Sequence, residues 1–182
     1  TYETSLYDEW GVQRKDFGLA SLFGASYSGS KEGPMLNSYL TLEKDPATGQ
    51  YHELLAGFED AGRIINGIHR VHVAPADRNA YAPLVVIPTY PDLPMEECFP
   101  PPETTHDAGV FARNVGRGRV VYFPWDIDYT FWEVLDVDHA KLLRNAVLWA
   151  TNEPAPLSVK GKGVLDISVW GQKNSMTVHL VN

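Results

Sequence analysis

The chain has 182 residues, of which 44% are hydrophobic and 12% aromatic, enough to bury a sizeable core in one or two domains and too apolar for a disordered chain. Its formal net charge is −8, and its densest basic stretch is only Arg113, Arg117 and Arg119, so it lacks the basic footprint of a nucleic-acid or anionic-membrane binder. No apolar run is long enough to span a bilayer, and the opening "TYETSLYDEW" has neither the basic start nor the apolar middle of a signal peptide.

Asp16 followed by Phe17, Leu19, Ala20, Leu22, Phe23 and then Gly24 predicts a short helix with an acidic N-cap and a glycine stop. "YSGSKEGPM" reads as a loop. Asn37 to Glu43 alternates as a half-buried strand, with Leu40 and Leu42 on one face and Tyr39 and Thr41 on the other, before "KDPATGQ" turns the chain. Ile64 to Val73 reads as one irregular or bulged strand around Gly67, and Pro83 to Pro88 as a strand buried on both faces. Tyr90 to His106 is too rich in proline for regular structure. Ala108 to Arg113 and Arg119 to Phe123 then form strands joined by the hairpin-like "NVGRG".

The clearest helix is Asp138 to Thr151, capped by Asp138, with an apolar stripe of Leu142, Leu143, Ala146, Val147, Trp149 and Ala150. After "NEPAP" the pattern turns to alternating β at Leu157 to Val159, Val164 to Trp170 and Met176 to Val181, with "GQKN" as the turn between the last two. A domain boundary is expected at about Asn152 to Pro156. The first residue, Thr1, and the closing strand, which has no following turn, read as cuts in a longer chain. The single cysteine, Cys98, excludes an internal disulfide and leans toward a reducing, cytoplasmic compartment.

Several groups offer chemistry. Cys98 is the one thiol nucleophile, but Glu96 and Glu97 beside it disfavour a thiolate. His69 and His72 stand three apart, which on a strand aims them at opposite faces rather than at one metal ion. His106 and Asp107 are a better-placed pair with no identifiable third ligand, so no metal and no cofactor is expected. Asp126 and Asp128, two apart after a strand, admit a paired-carboxylate or calcium reading, yet neighbours on one short loop rarely flank a sugar. Capping the turn through "YTFWE" accounts for them better. Trp125, Tyr129 and Trp132, with Phe131, offer a stacking surface for a sugar ring, and packing against the core or another subunit explains the same residues. Trp125, Asp126, Asp128, Tyr129 and Trp132 are therefore the candidate substrate-binding residues, and no catalytic residue is assigned.

"TYETSLYDEWGVQRKDFGLASLFG", "HRVHVAP", "GRGRVVYFPWDIDYTFW", "LLRNAVLWA" and "PLSVKGKGVLDISVWGQKNSMTVHLVN", taken in order, resemble the C-terminal part of large glycoside hydrolases. In these a catalytic (β/α)₈ barrel precedes a β-galactosidase trimerisation-type domain, flavodoxin-like as in class I glutamine amidotransferases, and a small β domain follows. The resemblance implies such an α/β domain over residues 1–152, N-terminally incomplete, and the start of a β domain over 153–182. It also implies a non-catalytic accessory and assembly region, with hydrolysis carried by an upstream barrel absent from this chain. The expected partners are that barrel and further copies of the chain, with carbohydrate as a possible ligand and no nucleic acid or membrane. Two other functions remain open: a carbohydrate-binding module using the Trp125 loop, and an autonomous amidotransferase-like hydrolase using Cys98.

Overall fold

The computed structural model describes every residue except 78, 91–92, 95, 99–104, 162–164 and 182. The chain divides into two compact units, Thr1–Thr151 and Asn152–Asn182. The first is a mixed α/β unit of small antiparallel sheets and few helices. Its elements run α1 (Ala20–Phe23), β1 (Ala25–Glu32), β2 (Tyr39–Leu42), β3 (Arg63–Ile65), β4 (Arg70–Pro75), β5 (Leu84–Ile87), β6 (Phe111–Val115), β7 (Gly118–Tyr122), α2 (Ile127–Val134) and α3 (Val137–Thr151).

The α/β expectation holds at the level of class. A flavodoxin-like sheet with flanking helices is not shown: such a sheet is parallel, with helical crossovers between neighbouring strands. Here every ladder among the described residues is antiparallel, in the orders β1-β4, β3-β2-β5 and β6-β7. Short connecting contacts extend these ladders. Residues 123–126 run along the start of β4, where Val71 N–H donates to the Pro124 carbonyl at 2.9 Å and Asp126 N–H to the His69 carbonyl at 3.1 Å. Residues 107–109 line β5 in the same way, with Gly109 N–H on the Leu84 carbonyl at 2.7 Å.

Alternation in β2 places Leu40 and Leu42 inward as expected, and the proline-bracketed run forms β5. The β6–β7 hairpin pairs Val115 with Gly118, so Gly116 and Arg117 make a two-residue turn, and Gly116 supplies the positive φ of +59° that such turns require. The polar segment expected as a loop instead carries most of β1. Its side chains are largely exposed, and its ladder with β4 is interrupted between Tyr27 and Lys31, an edge strand held by backbone bonds rather than apolar burial.

Asp16 does not cap a helix. Its Oδ1 accepts from the N–H groups of Phe17 and Tyr27 at 2.7 and 2.8 Å, stitching the N-terminal segment to β1, and α1 starts only at Ala20. Burial favours a raised Asp16 pKa, but those two N–H donors together with the Ser26 side chain outweigh it and hold the carboxyl below its ordinary value. Gly24 ends α1 in the left-handed conformation, as its position predicts. The long helix is capped by Asp136 rather than Asp138: Asp136 Oδ1 accepts from the N–H groups of Asp138 and His139, both at 2.9 Å.

Two clusters form the core. In the larger, Leu142, Ala146 and Trp149 of α3 pack on Leu40, Ile64, Leu84 and Val86 of the β3-β2-β5 sheet and on Phe123 and Trp125. Val147, expected in the apolar stripe, is exposed instead, and the buried face includes Asn145, whose amide donates to the carbonyls of Leu54 and Ala56. The smaller cluster gathers Leu6, Phe17, Phe23, Ala25, Val71 and Tyr122, with Phe23 stacked on Tyr122 at 4.1 Å between ring centroids.

His52 caps the short turn that feeds this core: its Nδ1 accepts from Leu54 N–H at 3.1 Å and its ring meets Trp149 edge-on at 5.1 Å. Burial holds its pKa below the ordinary value. The unfolded chain therefore takes up this proton before the folded one does. The His52 contribution to stability is complete above the ordinary histidine pKa of about 6.5 and is lost as the pH falls through it toward the lower folded value. His52→Asn keeps a capping acceptor and removes the titration. Urea midpoints should fall less steeply between about pH 7 and pH 5 in this variant, and an unchanged slope would assign the acid sensitivity elsewhere.

The second unit contains one hairpin, β8 (Asp166–Gln172) and β9 (Ser175–Val181), turning at Lys173 and Asn174. The strand expected at Leu157 to Val159 does not form; Val164 lies outside the described residues. Register places Ile167, Val169, Met176, Val178 and Leu180 on one face, and none of them is fully buried.

Candidate site at the His69–Asp126 pair

The candidate residues of the 125–132 segment separate sharply. Trp125 is 1% exposed and belongs to the core; its indole N–H donates to the Gly109 carbonyl at 2.8 Å, and Phe123 and His139 meet its ring edge-on. Asp126 is also buried. Asp128 is exposed and accepts from the Thr1 hydroxyl at 3.1 Å through Oδ2, so the two carboxylates do not converge on one ligand. Tyr129 and Trp132 are 52% and 75% exposed on α2. Of the expected aromatic platform, then, Tyr129 and Trp132 face outward, while Trp125 packs inside.

Asp126 occupies the N-cap position of α2, but its carboxylate caps none of the helix's backbone N–H groups. Oδ2 lies 3.0 Å from His69 Nδ1, and Oδ1 accepts from His69 N–H at 3.1 Å and from the Thr130 hydroxyl at 3.2 Å. Thr130 in turn accepts from Ile68 N–H. The start of α2 is thereby fastened to the 67–69 segment ahead of β4. Gly67 makes the approach possible, since a Cβ there would lie 2.8 Å from Trp125 Cε3 and inside contact distance of Asp126 Oδ1.

His69 and His72 go to different partners. His69 meets Asp126, whereas His72 Nε2 lies 3.5 Å from Glu32 Oε2. Glu32 also accepts from Arg70 Nε at 2.6 Å and from the Thr89 hydroxyl at 3.0 Å, and Arg70 reaches Asp107 with Nη1 at 3.0 Å. Burial favours a raised Glu32 pKa, but the Arg70 guanidinium outweighs it and holds the carboxyl below its ordinary range. Asp107 is thus engaged by Arg70. Among the described residues no group of three or more potential metal ligands converges. Cys98 is partly buried, and several residues next to it lie outside the described ones.

His139 carries no signal in the sequence beyond helical spacing. It is completely buried, its Nε2–H donates to the Ile65 carbonyl at 2.8 Å, and its Nδ1 has no partner among the described residues. Two concavities lie elsewhere. One of about 220 Å³ is lined by Phe23, Tyr81, Phe111 and Arg113, whose guanidinium is engaged by the Ser21 carbonyl. A shallower one of about 490 Å³ is lined by Glu43, Lys44, Tyr81 and His106. Neither includes the His69–Asp126 pair.

No helix among the described residues is long and apolar enough to cross a membrane. Comparison with protein-family models, with curated proteins and with solved structures finds no match to this chain.

Proposed function

We propose that the chain is a non-catalytic accessory and assembly region of a β-galactosidase-like glycoside hydrolase, holding copies of the protein together beside a catalytic barrel that lies outside this chain. The observation that carries the assembly role is the exposed strip running from α2 to the start of α3. Tyr129, Trp132, Val134, Leu135 and Val137 all face solvent within nine residues. Aromatic and aliphatic side chains clustered on one helix and its cap are the composition of an interface centre, and a lone monomer gains nothing from exposing them. The glycoside hydrolase setting is supported by the ordered resemblance in the sequence.

The finer fold goes with this proposal: a flavodoxin-like, amidotransferase-type sheet completed by chain outside these residues. Helix α3 packed over a strand layer supports it. Residues 153–182 fit the start of a separate β domain, because a two-stranded hairpin with one apolar face is marginal by itself and gains stability from further strands.

Light scattering across a dilution series tests the assembly role. The wild-type chain should persist as a dimer or trimer, and Trp132→Asp should weaken association by about 2 kcal/mol, roughly thirtyfold, with an unchanged circular dichroism spectrum. A folded wild-type monomer at all concentrations would overturn the reading.

A further inference from the structure

The concavity of about 220 Å³ has walls that the rest of the fold already fixes. Phe23 and Phe111 both rest on the buried Tyr122 ring, at 4.1 and 6.2 Å between centroids, which holds the two rings in place. Ala76 N–H donates to the Gly24 carbonyl at 2.9 Å and ties the segment after β4 to the end of α1. Tyr81 donates its hydroxyl proton to the Glu43 carbonyl at 2.6 Å, so what it leaves for a ligand is chiefly its ring. Three aromatic side chains anchored in this way line a preformed, mainly apolar pocket.

One cationic fork belongs to this lining. Arg113 stands on β6, and its Nη1 donates to the Ser21 carbonyl at 3.2 Å. Gly24 makes room for the guanidinium: a Cβ there would lie 2.8 Å from Arg113 Cζ and nearer still to Nη1, and the φ of +71° disfavours any side chain besides. Nε and Nη2, the two donors that a guanidinium presents side by side, have no partner among the described residues, and Arg113 makes no ion pair with them. Such a pair of parallel N–H groups matches the two oxygens of a carboxylate. The lining also holds Asp77, whose Oδ1 accepts from Asn79 N–H at 2.9 Å. Its negative charge offsets that of Arg113 and disfavours a dianion or polyanion. Volume bounds the rest of the ligand. A cavity of about 150 Å³ takes a benzene ring, so about 220 Å³ admits one ring with a short acidic arm.

We propose that this concavity is a binding site for a small monoanionic aryl carboxylate, of the size of benzoate or phenylacetate. The ring packs among Phe23, Tyr81 and Phe111, and the carboxylate accepts from Nε and Nη2 of Arg113. This site goes beyond the assembly role and does not rest on it, since its lining shares no residue with the exposed strip from α2 to α3.

Proton–nitrogen correlation NMR of the whole chain tests the proposal, with benzoate, phenylacetate, benzamide and phenyl phosphate as probes. Benzoate or phenylacetate should shift the Gly24, Phe111 and Arg113 signals saturably, with a dissociation constant at or below about 1 mM. Benzamide keeps the ring and lacks the charge, so it should bind at least about tenfold more weakly, and the phenyl phosphate dianion should bind no tighter than benzoate. Arg113→Met keeps an unbranched stem and removes the fork; it should weaken benzoate at least about tenfold and leave benzamide within about twofold. No saturable shift with either carboxylate, shifts confined to residues outside the lining, equal binding of benzamide, tighter binding of phenyl phosphate, or undiminished benzoate binding by Arg113→Met would each overturn it. Should Arg113→Met fail to fold, the ranking of the four probes on the wild-type chain decides alone.

Discussion

Trp125→Ala should cost about 3–5 kcal/mol of folding stability, the range for removing a large aromatic side chain from a packed core. Trp125 belongs to the larger cluster, with Phe123 and His139 against its ring at 5.8 and 5.1 Å. Its N–H is the partner of the Gly109 carbonyl, so truncation also strips a hydrogen bond from a buried acceptor. Since a domain of this kind carries only about 5–15 kcal/mol in total, a loss of that size should move the urea midpoint far to the left or leave the protein insoluble. The result separates two roles for the residue. A variant with wild-type stability and abolished saccharide binding would make Trp125 a ligand platform after all and contradict its placement in the core.

Gly67→Ala carries the second large effect, and it acts through the meeting of two distant segments. The Gly67 backbone is not in the left-handed region, so alanine brings no conformational penalty there. Its Cβ would instead push on Trp125 Cε3 and on the carboxylate of Asp126, both of them buried side chains. Overpacking of this kind costs about 1–3 kcal/mol, roughly 2–12 °C in melting temperature for a chain of this size. It should also part Asp126 from His69, whose neutral ring carries its proton on Nδ1 because a carboxylate only accepts; nitrogen NMR reads this as loss of the fixed Nδ1–H tautomer. Gly62, with nothing within 4 Å of its hypothetical Cβ, is the matched control: Gly62→Ala should leave both melting temperature and tautomer as they are. Equal behaviour of the two variants would show that the 67 and 125–126 segments do not press on each other as the structure has them.

Gly67 also shows why part of this site escaped a reading of residues in order. In sequence a glycine amid β-branched neighbours signals a bulged strand, and Ile64 to Val73 was expected to be one irregular strand. The break is real, since β3 ends at Ile65 and β4 begins at Arg70, but its cause lies 58 residues away in the Trp125–Asp126 pair. His69 and Asp126 were each visible as chemistry-bearing residues. Nothing in their own neighbourhoods joins them, because the ladder that runs residues 123–126 alongside β4 is a long-range pairing. The same limit applies to α2. Tyr129 and Trp132 stand out in the sequence together with Trp125, yet only the helix and its contact with the core decide which aromatic faces inward.

The features legible in the order of residues are those that act over a few positions. Proline brackets delimit β5, Gly116 turns the β6–β7 hairpin, Gly24 ends α1, and the spacing of Leu142, Ala146 and Trp149 makes one buried face of α3. Each of these rests on backbone conformations and periodicities that a short peptide already favours. Tertiary structure alone decided the antiparallel pairing of the strands, the use of polar β1 as an edge strand, the replacement of Asp138 by Asp136 as the cap of α3, and the meeting of His69 with Asp126. These depend on which distant segment supplies a hydrogen-bond partner or excludes water, and that partner is chosen by the whole packed chain rather than by the residues beside it.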